Sequence, residues 1–142
     1  MKIATYNVRN LYDPGTFVDQ QSGEVVTEQF FTTRVEYFIN QLRSLSVDII
    51  CLQEIGGELG IQKIAAALGY EHFSSRPNKR GIRVAVMYKK EALTDIVYES
   101  VSLGELHVPS LKQKGDTASL PPISQSRDFL HLAGLYNGTP IS

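Results

Sequence analysis

The 142-residue chain is long enough for one domain with a buried core. With 42% apolar and 20% charged residues, 11 Gly and 6 Pro, it is neither a disordered tail nor a collagen-like rod. Fourteen basic against fifteen acidic residues leave a formal charge of −1, so net charge neither drives it onto nucleic acid nor excludes that, and any basic patch must be local.

Ile3 to Val8 alternates apolar and polar residues and reads as a strand. Residues 13–28, with Asp13-Pro14-Gly15, Ser22-Gly23, four acids and no base, read as a long surface loop. Phe31, Val35, Phe38, Leu42 and Leu45 then recur at intervals of four and three, the mark of one helix face, and Thr33-x-x-Glu36 fits a capping box at its start. Val47 to Gln53 is a dense apolar run, expected to be a central strand covered on both faces. Gly56, Gly57 and Gly60 form a turn into a second helix, with Ile61, Ile64, Ala65 and Leu68 inward and Gly69 as its stop. Tyr70 to Ser74 is a short strand, Arg76 to Arg80 a polar turn, Ile82 to Tyr88 and Asp95 to Val101 further strands. Residues 104–126 read as a long mobile loop, Asp128 to Leu135 as the last strand, and Asn137-Gly138 as a hairpin turn. Strands and helices interleave, which gives an α/β or α+β class.

The lone Cys51 sits in the run Ile49-Ile50-Cys51-Leu52 and reads as a small buried hydrophobe; no internal disulfide is possible. No stretch approaches the roughly 18 apolar residues of a bilayer span. The N-terminus has no apolar signal-peptide core, which predicts a cytoplasmic protein, although Met1 leaves a secreted precursor open.

Two polar residues stand out because strands deliver them to strand ends. Asn7 lies near the end of the first strand, and Glu54 follows the most apolar strand in the chain. A carboxylate placed there is costly to bury unless a cation or hydrogen bonds satisfy it. With the amide oxygen of Asn7 it would suit a hard divalent cation. Spacing alone leaves the alternative open, that Glu54 caps the next helix and Asn7 turns the chain. Charge is also unevenly placed: residues 76–90 hold six bases (Arg76, Lys79, Arg80, Arg83, Lys89, Lys90) and no acid, while residues 10–60 hold eight acids and two bases. This could be a phosphate-facing edge beside an acidic rim, or a solvated strand face. Arg127 could reach a phosphate or serve as a salt-bridge partner. His72, His107 and His131 share no metal-ligand spacing, His131 reads as solvent-facing, and no Ser has a base at readable spacing.

Lys2-Ile3-Ala4-Thr5-Tyr6-Asn7-Val8, Asp48-Ile49-Ile50-Cys51-Leu52-Gln53-Glu54, Lys79-Arg80-Gly81-Ile82-Arg83-Val84-Ala85-Val86-Met87-Tyr88 and Ser126-Arg127-Asp128-Phe129-Leu130 resemble, in order and spacing, successive motifs of the endonuclease/exonuclease/phosphatase family. The resemblance implies half of a four-layered α/β sandwich, a mixed and mostly antiparallel sheet with helices on one face. It implies a phosphoesterase, nuclease or phosphatase, assisted by Mg²⁺ or Mn²⁺. By position, Glu54 matches the metal-binding glutamate and Asn7 the asparagine at the metal and phosphate site. Arg127 resembles a basic residue near the substrate phosphate, and the basic run 76–90 makes Lys79 and Arg80 further candidates for substrate binding through charge. Arg83 stands where the family often has a small residue.

The family's later residues, a histidine, an Asp-x-Asn pair and a terminal Asp-His, are not found; no such pair or dipeptide occurs in these 142 residues. Residues 1–142 are therefore expected to be the N-terminal part of one such domain, inactive alone. One sheet of a sandwich should expose its inner face, so self-association or pairing with the C-terminal half is expected. The partner would otherwise be a phosphoester, nucleic acid being one candidate. The second reading is a non-catalytic domain of this fold that binds phosphates or protein.

Overall fold

The computed structural model describes residues 1–16, 25–78, 80–101, 105–106, 123–124 and 129–142. The elements run β1 (Ile3–Leu11), α1 (Glu28–Arg43), β2 (Ile49–Ile55), α2 (Glu58–Leu68), β3 (Tyr70–Ser74), β4 (Arg83–Lys89), β5 (Leu93–Val101), β6 (Glu105–Leu106), β7 (Ile123–Ser124), β8 (Phe129–Tyr136) and β9 (Thr139–Ile141). A mixed sheet has the order β1-β2-β4-β3, with β1 and β2 parallel and the other pairs antiparallel. A second sheet, β5-β8-β9, is antiparallel throughout.

The side-chain period of two explains the layers. In β2 and β4, Ile50, Leu52, Ala85 and Met87 point to one face and pack with Phe31, Val35, Phe38 and Leu42 of α1 and Ile61, Ile64 and Ala65 of α2. Their neighbours Ile49, Val86 and Tyr88 point the other way, onto Leu93, Ile96, Leu130, Leu132, Tyr136 and Ile141 of the second sheet. The fold is thus helices on one face of a mixed sheet and a small sheet on the other. The bare inner face expected from the sequence is covered over β2 and β4 by this second sheet. Ile3, on the edge strand β1, stays 57% exposed, as do Val97 (68%) and Phe129 (57%) on the second sheet.

Two boundaries depart from the sequence expectation. Helix α1 begins at Glu28, and its N-cap is Thr27, whose hydroxyl accepts the Phe30 N–H at 3.2 Å. Thr33 sits inside the helix and donates to the Gln29 carbonyl, so Thr33-x-x-Glu36 is not the cap. Leu45 lies past the helix end and is exposed rather than inward. The C-terminus of α2 is as expected: Gly69 takes φ 72°, where an L side chain would be strained, and donates back to Ala65 and Ala66. Asn137 and Gly138, both at positive φ, close the β8–β9 hairpin. Within 104–126 the expected loop contains the paired strands β6 and β7, and its remainder lies outside the described residues.

Asp48, just before β2, ties three elements at one end of the sheet. It accepts the Lys2 N–H at 2.7 Å and the Tyr136 hydroxyl at 3.0 Å, and lies 3.8 Å from Lys89 Nζ. The Lys2 hydrogen bond foremost, then Tyr136 and Lys89, holds its pKa below the ordinary carboxylate value, against the opposing effect of desolvation. The hydrogen bond that Tyr136 donates to Asp48 raises the Tyr136 pKa in turn. No helix among the described residues is long and apolar enough to cross a membrane.

Candidate functional site

The C-terminal ends of β1 and β2 lie side by side because the two strands are parallel, with Asn7 opposite Gln53. Both strands lose their regular register there: β1 between Asn7 and Leu11, β2 against β4 between Leu52 and Ile55. At these bulges three non-glycine residues take left-handed backbone angles, Arg9 (φ 48°), Asn10 (φ 56°) and Glu54 (φ 62°). Such conformations cost of the order of 1–3 kcal/mol at residues such as Arg9 and Glu54 and less at an asparagine. The two strand ends that carry Asn7 and Glu54 therefore hold local strain, as do Ser46 and Asp95 elsewhere among the described residues. The buried Oδ1 of Asn10, which has no hydrogen-bond partner, adds to it.

Asn7 is exposed and its carboxamide is oriented: Oδ1 accepts the Arg9 N–H at 2.7 Å. The Nδ2 donors therefore form the outward end of the group. Glu54 is half-buried after the apolar run of β2. Together a carboxylate and a carboxamide are hard oxygen donors, suited to a divalent cation that keeps part of its water shell. Among the described residues no three His, Cys, Asp or Glu side chains gather as a metal-ligand group, so this pair would be an open, partial site. Cys51, half-buried against the second sheet, has its thiol pKa raised by burial.

Two residues that shape this end of the sheet were not legible beforehand. Arg34, on α1, donates from Nη1 to the Asn10 carbonyl (3.2 Å) and from Nη2 to the carbonyls of Arg9 (2.8 Å) and Val8. Its guanidinium lies 5.6 Å from the Phe30 ring centroid and 5.5 Å from that of Phe38. Partial burial lowers its pKa from the ordinary value. Asp13, just past β1, caps α2 from 46 residues away: its carboxylate accepts the N–H groups of Leu59 and Gly60, each at 3.2 Å. Gly57 is the formal N-cap and has no side chain to do this; a Cβ there would lie 2.2 Å from the Asp13 carboxylate. The glycines form a turn into α2, as the sequence suggested, and the close approach of Asp13 is what excludes a side chain at Gly57. Beside Asn7 a cleft of about 560 Å³ is lined by Tyr6, Asn7, Arg9, Arg34, Tyr37 and Phe38. Burial first, then the hydrogen bond with Tyr37, raises the Tyr6 pKa, while Arg9 opposes the shift.

The basic run is divided by its partners. Arg83 pairs with Glu58, which also accepts the Ser74 hydroxyl; Lys89 pairs with Asp48 and Lys90 with Glu71 at 3.7 Å. Arg83, the departure from the family pattern, is therefore held in a structural ion pair. Arg80 is exposed in the turn that precedes β4, whose first residue pairs with Ile55 at the end of β2. The turn is built on Asn78, whose Oδ1 accepts the N–H groups of Arg80 and Ile82. It brings Arg80 to the same end of the sheet as Glu54. Lys79 and Arg127 lie outside the described residues. His131 is exposed, as expected, with Nδ1 3.1 Å from Glu99 Oε1.

Comparison with known proteins agrees with this architecture. The profile of the Endonuclease/Exonuclease/phosphatase family matches residues 4–135. No curated protein sequence matches the chain. Among solved structures, an endonuclease/exonuclease/phosphatase from Bacteroides vulgatus aligns at TM-score 0.54 and 16% identity, covering 94% of this chain and 45% of its own. A functionally unknown conserved protein from Enterococcus faecalis V583 aligns at 0.51 and 23%, covering 96% and 46%. A mannosyl-6-phosphatase from Bacteroides thetaiotaomicron VPI-5482 aligns at 0.52 and 19%, covering 94% and 45%. At these identities the likeness is one of fold. The chain spans less than half the length of each of these structures.

Proposed function

Because the chain belongs to the endonuclease/exonuclease/phosphatase family, we propose that it supplies one side of the active site of a divalent-metal-dependent phosphoesterase. The observation that carries this reading is the placement of Asn7 and Glu54 at the adjacent, bulged ends of the parallel strands β1 and β2, with Glu54 held at φ 62°.

Glu54 is the residue of this chain that would hold Mg²⁺ or Mn²⁺. The bound ion would neutralise charge developing on the phosphate oxygens. Asn7, whose Oδ1 accepts the Arg9 N–H, presents its Nδ2 donors to a phosphate oxygen. Arg80, exposed at the same sheet end, meets the phosphate's negative charge from the β4 side, with Lys79 its sequence neighbour and Arg127 further candidates. Since Arg83, Lys89 and Lys90 are already paired with acids, the basic run offers a few phosphate contacts rather than a continuous track. This favours a compact phosphoester over a long polyanion.

The relatives' greater length supports the view that the base for the attacking water comes from polypeptide outside these 142 residues, docked on the exposed β1 edge, or that a second copy covers that edge. The test is hydrolysis of one phosphomonoester and one phosphodiester by the full-length protein, with Mg²⁺ and with chelator. Metal-dependent turnover lost in Glu54→Gln is expected. Turnover indifferent to both chelator and Glu54 would overturn the reading.

A further inference from the structure

We propose that Arg34 is the positioning residue for Asn7: its guanidinium fixes the β1 bulge, and through the Arg9 peptide it sets the direction in which the Asn7 carboxamide donates. The inference rests on the phosphate-binding role assigned to Asn7 above.

Three consecutive carbonyls, those of Val8, Arg9 and Asn10, converge on this one side chain. Successive carbonyls of a regular strand point alternately to opposite sides and cannot do this; the convergence requires the left-handed angles of Arg9 and Asn10. The left-handed angle is unfavourable for Arg9 and milder for an asparagine, and the bonds from the Arg9 N–H to Asn7 Oδ1 and from the Tyr12 N–H to the Asn10 carbonyl support the turn locally. The guanidinium adds the tie to α1, since its planar fork donates to all three carbonyls at fixed spacing. The Arg9 N–H then sits where it bonds Asn7 Oδ1 at 2.7 Å, and the amide nitrogen of Asn7 is left as the outward donor. Arg34 is itself held by the rings of Phe30 and Phe38, so the chain of support runs from α1 to Asn7 without a gap. Asn7 and Arg34 line the same cleft. A lysine ammonium is a point donor on a flexible stem and cannot span the three carbonyls.

The test uses the full 142-residue chain labelled with ¹⁵N. Two quantities are read: the heteronuclear NOE of the Asn7 carboxamide, and the affinities for Mg²⁺ and for inorganic phosphate in its presence. In Arg34→Lys the carboxamide NOE should fall by at least half and phosphate affinity at least tenfold, while Mg²⁺ affinity stays within twofold. The amides of Ile50 and Leu52 should keep wild-type shifts. Phe30→Leu, at an exposed position, should loosen the same carboxamide to a smaller extent and serves if Arg34→Lys does not fold. In Arg34→Ala, added guanidinium should restore the wild-type NOE. An unchanged NOE in both Arg34→Lys and Phe30→Leu overturns the inference. Wild-type chain that binds no phosphate at Asn7 overturns the reading of Asn7, while the NOE still decides whether Arg34 holds it.

Discussion

The φ of 62° at Glu54 can be weighed against function in one comparison, Glu54→Gly with Glu54→Ala. Both variants lose the carboxylate and whatever it touches, so those losses cancel between them. What remains is the backbone. Alanine keeps the left-handed strain, about 1–2 kcal/mol for an L residue, and glycine relieves it. Glycine in turn loses about 0.5–1 kcal/mol to alanine through its freer unfolded chain. The balance is about 0.5–1 kcal/mol in favour of Glu54→Gly, the reverse of the order at an ordinary strand position. Urea denaturation followed by circular dichroism measures it as a shift in midpoint at constant slope. Glycine below alanine would show that the bulge is not strained and remove the main support for a functional site there. Neither variant should bind Mg²⁺, so the glycine variant would regain backbone stability without recovering the site.

Three further outcomes follow from the contacts described. Asp13→Ala should cost about 1–2 kcal/mol by uncapping α2, and Asp13→Asn, whose side-chain oxygen can still accept the Leu59 and Gly60 N–H groups, less than half of that. Equal costs in the two variants would refute the trans-cap. The Asp48 pKa lies below its ordinary value, so its stabilisation is complete above that value and is lost as pH falls through the folded-state pKa. Stability measured downward from about pH 4 should thus drop less steeply in Asp48→Asn than in wild type, and parallel curves would refute the link. With Ile3, Val97 and Phe129 exposed, sedimentation of the 142-residue chain should show self-association or the dye ANS should bind. A monomer that binds no ANS would contradict it.

The sequence displayed most of the fold because its signals are periodic. Phe31, Val35, Phe38 and Leu42 repeat every three or four residues, and all four are buried under α1. The start of that helix was misread, since Thr33-x-x-Glu36 has the form of a capping box, whereas Thr27, the true cap, is followed at the third position by Phe30. Cover for the sheet is not evident in the sequence because residues 102–128, a stretch without periodicity, separate β5 from the β8–β9 hairpin, and nothing local tells that these strands assemble over Ile49, Val86 and Tyr88. Of the site, Asn7 and Glu54 were legible from strand ends and motif, and the parallel register sets their strand ends side by side. Arg34 was not, because on the page it is one base among polar residues of a helix, and its three acceptors converge only after β1 bulges. Asp13 was hidden for the same reason: a turn aspartate gives no sign of a helix 46 residues away. The basic run overstated itself, because the acids that pair with Arg83, Lys89 and Lys90 lie on other elements.

The central claim is that Glu54 holds a divalent cation. Isothermal titration of Mg²⁺ or Mn²⁺ into the full-length protein tests it most directly, against the same titration into Glu54→Gln, which keeps size and polarity and removes only the charge. The account predicts affinity at least tenfold weaker in the variant, or about 1.4 kcal/mol. Equal affinity in the two proteins would contradict it.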